Sequence, residues 1–71
     1  MQYMVVIEKG ATSYGAYVPD WPGCVAVGET RAEVLALIEE AVELHLEDFR
    51  AKGEPIPTPC SSGEFVNVAV A

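Results

Sequence analysis

The stretch "TRAEVLALIEEAVELHLEDFRAKGEP" carries both ends of one long helix. Thr30 and Glu33 form a T-x-x-E capping box, in which a hydroxyl and a carboxylate each satisfy a backbone N–H at the helix start. Gly53 is suited to end the helix in the left-handed conformation, and Pro55 prevents its resumption. The spacing therefore predicts a helix from Arg31 to about Lys52. In a chain of 71 residues that leaves only short segments on either side, and those segments must cover the helix's apolar face. At 100° per residue, Val34, His45, Ile38, Phe49, Val42, Leu35 and Leu46 form one continuous face. Glu39, Arg50, Glu43, Ala36, Glu47 and Glu40 form the opposite one. Such a helix lies on a sheet with its charged side in water. Leu37, Ala41 and Leu44 widen the apolar arc on one flank, interrupted only by Asp48.

The sheet must come from the flanking segments. "YMVVIE" (Tyr3 to Glu8) has apolar residues on both faces, as in an inner strand. "KGATS" reads as a loop, and "YGAYV" (Tyr14 to Val18) as the second strand of a hairpin. Pro22 and Gly23 suit a type II turn from Trp21 to Cys24, with Pro19 stopping the second strand. "CVAV", Cys24 to Val27, follows as the third. After the helix, "GEPIPTPCSSG" reads as an extended return loop and "EFVNVAVA" as a final strand. The expected class is α+β, a single domain over residues 1–71 in the order β-β-β-α-β. A right-handed crossover lays the fourth strand beside the first, giving a four-stranded sheet of order 3-2-1-4 with one helix on one face.

A core this small buries only roughly 60% of the unfolded surface, so self-association or partner binding is expected to add to it. Eleven acidic residues against four basic ones give a net charge of −7. Direct nucleic-acid binding, which needs clustered Lys and Arg, is disfavoured, and a basic protein partner is favoured. Nothing approaches the ~20 apolar residues of a membrane span, and the N-terminal run lacks a signal peptide's basic leader and cleavage site. A cytoplasmic location is expected, with Cys24 and Cys60 as reduced thiols.

The chemical candidates are thin. Cys24 and His45 are a conceivable nucleophile and base, but no third residue is identifiable to orient them. Cys24, Cys60 and His45 lack the paired spacings of a zinc site. No catalytic residue, metal or cofactor is expected, and the chain reads as a non-enzyme. Trp21 on its turn beside Asp20 suits either a core edge or a binding contact.

The run "YGAYVPDWPGCVAVGETRAEVLALIEEAVELHLE" followed by "GEPIPTP" resembles the HicB family, the antitoxin side of HicA/HicB toxin-antitoxin pairs. The resemblance rests on a tyrosine-rich strand, a P-x-x-P-G-C turn, a G-(D/E)-T helix start and an I-P-x-P return loop, and it covers nearly the whole chain. It implies a reduced ribonuclease H-like β-β-β-α-β fold. It also implies binding to a small basic HicA-type mRNA-cleaving toxin, whose active site the antitoxin masks. Fold likeness is not evidence for nuclease activity. Unlike many members, this sequence shows no ribbon-helix-helix or helix-turn-helix domain after Ala71, so a stand-alone HicB-like domain is expected. The expected partner contacts are Trp21, Asp20, Glu39, Glu40, Glu43 and Glu47. Independently of any toxin, a homodimer is expected, through Leu37 and Leu44 or else through an edge strand. The alternative reading is a homo-oligomeric scaffold or small-ligand-binding protein with no toxin.

Overall fold

Each apolar run before Thr30 pairs with the next. Three strands, β1 (Val6–Lys9), β2 (Tyr14–Tyr17) and β3 (Val25–Gly28), precede the helix α1 (Arg31–Lys52). The computed structural model describes residues 1–70. Ile7 lies opposite Ala16 and Ala16 opposite Ala26, which fixes one row across an antiparallel sheet of order β1-β2-β3. That row faces α1. Ala16, Val18, Trp21, Cys24, Val34 and Ile38 are the buried core, with Ile7, Ala26, Leu35, Val42, Leu46 and Phe49 packed against it. Side chains alternate across a strand, so Val25 and Val27 point to the other face, where they are exposed. The helix covers one face of the sheet, as its amphipathic pattern requires.

The β2–β3 corner contains two successive tight turns, each with proline at its second position. Trp21 N–H donates to Val18 O at 3.0 Å, and Cys24 N–H donates to Trp21 O at 3.1 Å. Val18 N–H then donates to Cys24 O at 3.2 Å and closes the corner. Gly23 has φ 83°, the positive angle expected of the third residue in a type II turn. The β3–α1 junction is equally tight, because a Cβ on Gly28 would lie 2.9 Å from the backbone nitrogen of Val34.

Two expectations fail here. The four-stranded ribonuclease H-like sheet of order 3-2-1-4 does not form, and the chain is β-β-β-α. The expected inner strand, β1, is consequently an edge. Residues 54–70 carry no helix or strand, and Glu64 to Val70 are exposed; Ala71, the last residue of the expected strand, lies outside the described residues. The reason lies in the return loop. Pro55, Pro57 and Pro59 have no N–H to donate to a ladder. The Tyr3 hydroxyl holds the Pro57 carbonyl, and Asp20 holds Cys60 and Ser61 at the β2–β3 corner. The chain then passes Met4, whose sulfur would be 3.1 Å from a Cβ on Gly63, and leaves the sheet unpaired.

Candidate functional site

The helix face turned away from the sheet carries Glu39, Glu40, Glu43 and Glu47, all exposed. Their spacing of one, four and eight residues from Glu39 aligns them in a stripe. Glu39 and Glu43 also rim a groove of about 330 Å³ whose remaining lining is Met1, Tyr3, Val5 and Val42. Two carboxylates over an apolar floor suit a lysine or arginine side chain, whose stem lies on the floor while its head meets the charge.

Trp21 and Asp20, the other two expected partner contacts, occupy different settings. The Trp21 indole is buried, 2% exposed. It packs edge-on against Tyr3, Phe49 and His45, with ring centroids 5.2, 5.3 and 6.0 Å apart. A partner at this corner meets the groups around the indole, not its faces. The Asp20 carboxylate is engaged within the chain. Ser61 Oγ donates to it at 2.6 Å and Ser61 N–H at 2.9 Å, while Cys60 N–H donates at 3.0 Å and Cys60 Sγ at 3.2 Å. These donors, the Ser61 hydroxyl first, hold the Asp20 carboxyl well below the usual carboxylate range. The same contact pushes the Cys60 thiol up, because the bonded proton is harder to lose beside a negative charge. Nothing about residues separated by 40 positions marks this clasp in the sequence.

Cys24 and Cys60 are both free. Cys24 is buried, and burial raises its thiol pKa, the reverse of an activated nucleophile. His45 is half-buried against Trp21. Among the described residues no group of three or more His, Cys, Asp or Glu is placed to hold a metal ion, and no helix is long and apolar enough to cross a membrane.

Leu37 and Leu44, the flank expected to self-associate, are 38% and 60% exposed. The sequence reading missed a larger open surface. Along the free edge of β1 runs a groove of about 810 Å³, bounded by Met4 to Ile7, Lys9, Tyr14, Arg31 and Gly63 to Phe65. The apolar alternation of "EFVNVAVA" was the available signal, but it says that a segment can pair and not where.

Against known proteins, the family model described as the HicB-like antitoxin of bacterial toxin-antitoxin systems matches residues 3–69. Antitoxin HicB 2 of Photorhabdus laumondii is 35% identical over 69 residues, which is 96% of this chain and 50% of that protein. A 14.9 kDa protein from the rep-hol intergenic region of Haemophilus phage HP1 is 33% identical, covering 94% of this chain and 50% of its own length. A UPF0150 protein of Helicobacter pylori is 48% identical over 46 residues, 65% of this chain and 64% of the relative. The chain thus spans about half the length of two of these relatives and under two thirds of the third. No solved structure matches it.

Proposed function

We propose that this chain, which belongs to the HicB-like antitoxin family of bacterial toxin-antitoxin systems, neutralises a small basic toxin of the HicA type by covering its RNA-binding surface. The observation that supports this reading most directly is the exposed stripe of Glu39, Glu40, Glu43 and Glu47 with its apolar groove. A surface that binds RNA is basic, and an acidic stripe competes for it with the same charge as the phosphates. The net charge of −7 adds long-range attraction to the encounter. Masking then needs no chemistry from the antitoxin. Asp20 acts indirectly, by holding the return loop against the corner where Trp21 is buried.

The test is cleavage of RNA by a cognate HicA-type toxin, with and without excess of this chain. Inhibition is expected; equal cleavage in both would sink the reading. Replacing Glu39 and Glu43 by glutamine should slow association roughly tenfold at low salt, with the wild-type rate falling toward the variant's as salt rises. If toxin and chain ignore one another while the chain still self-associates, the scaffold reading takes over.

A further inference from the structure

We propose that two copies of this chain exchange their Glu64–Val70 segments, each segment adding as a strand to the free edge of the other copy's β1. The inference stands independently of any toxin. Its first support is the segment itself. Val66, Val68 and Val70 alternate with Asn67 and Ala69, and Glu64 is the segment's one charge. Phe65 is fully exposed, and Val66, Val68 and Val70 are 78%, 74% and 90% exposed. Period-two apolar alternation is the pattern of a strand with a buried face, and here no face is buried within the chain. The described chain measures 53 Å along its long axis, against about 33 Å for a 22-residue helix.

The second support is the vacancy such a strand would fill. β1 lies at the end of the order β1-β2-β3, so one side of its backbone has no ladder partner among the described residues. The adjoining groove is lined by Val5 and Ile7, which pack against the core, by Met4 and Val6, which alternate with them, and by the chain's own Gly63 to Phe65. A strand placed there would meet apolar side chains above and below. Lys9 and Arg31, half of the chain's four basic residues, line the same groove. These two cations are opposite in sign to Glu64, the incoming segment's one charge, and so offset part of the repulsion between two copies that each carry a net −7.

The third support is the way the chain is delivered. The Asp20 clasp anchors Cys60 and Ser61, the preceding prolines keep the loop extended, and Gly63 brings the chain beside Met4. Gly63 to Phe65 border the groove beside β1, and from Glu64 to Val70 the chain is exposed and pairs with no strand among the described residues. Exchange across a two-fold axis pairs both segments at once and leaves neither β1 edge open.

The experiment uses the full chain. Sedimentation equilibrium at micromolar concentration should give twice the 7.6 kDa monomer mass. Val66→Glu plus Val68→Glu should weaken the dimer by roughly a hundredfold or more, because each carboxylate would have to be buried against the edge. Circular dichroism should show the helix retained, since neither valine touches the core. Leu37→Glu plus Leu44→Glu should leave the dimer intact, and amide exchange should show β1 amides not bonded to β2 gaining protection as the dimer forms. A clean monomer at these concentrations overturns the proposal. So does a dimer indifferent to the Val66 and Val68 changes, or one dispersed by the helix-flank pair.

Discussion

Trp21 shows how a residue's role is set by its neighbours. It is the largest of the fully buried side chains, and it ties Tyr3, the β2–β3 corner and α1 into one cluster. Trp21→Ala should cost about 3–5 kcal/mol, against about 5–15 kcal/mol available to a whole domain. Loss of the helical dichroism at lower temperature would report it, whereas Trp21→Phe should retain the fold. Asp20 acts through hydrogen bonds. Its folded pKa is depressed, so its contribution to stability is complete above the unfolded carboxylate value near ~4 and is lost as pH falls below it. Asp20→Asn should therefore lower the thermal midpoint at pH 7 and flatten its acid dependence below about pH 4. The same substitution should speed alkylation of the exposed Cys60 near neutral pH, because the carboxylate that raises its pKa is gone. An unchanged alkylation rate would mean that the clasp does not govern the thiol.

At the scale of the element, α1 is bounded as its sequence requires, with one difference in detail. Thr30 Oγ1 accepts from Glu33 N–H at 3.0 Å, but the Glu33 carboxylate takes the N–H of Glu29 at 3.1 Å in place of the cap residue's own. At the other end Gly53 N–H donates to Arg50 O and Glu54 N–H to Phe49 O, the paired bonds of a Schellman ending. Thr30→Ala should cost about 1 kcal/mol in chemical denaturation, with no change in fold. The junction before the cap tolerates less. Gly28→Ala places a methyl against the Val34 backbone, which cannot rotate aside as a side chain could. A loss of about 1–3 kcal/mol is expected, and stability equal to wild type would show that β3 and α1 can separate freely.

For the whole molecule, the open surfaces are the outer sheet face, with Val25 and Val27 exposed, the β1 edge and the segment Glu64 to Val70. A sheet with one bare face and an open edge, followed by an exposed C-terminal segment, has little core to lose in the unassembled state. The thermal midpoint should consequently rise with protein concentration, as mass action requires when folding and association are coupled. A midpoint constant over a hundredfold range of concentration would separate the stability of this fold from any assembly.

Local chemistry was sufficient for much of this structure. The cap at Thr30, the stop at Gly53, the Pro22-Gly23 turn and the helix face centred on Val34 and Ile38 all depend on residues within a few positions of one another, and each is readable in sequence. The exposed glutamate stripe follows from the same periodicity. The fate of "EFVNVAVA" does not, because alternation specifies a strand's faces but not its partner. That was decided by contacts between distant residues, Tyr3 with Pro57 and Asp20 with Cys60 and Ser61. They hold the return loop at Tyr3 and at the β2–β3 corner, and no strand after it pairs with β1 among the described residues, so the expected inner strand is an edge. The tryptophan that sequence left open to either role is buried against Tyr3, Phe49 and His45.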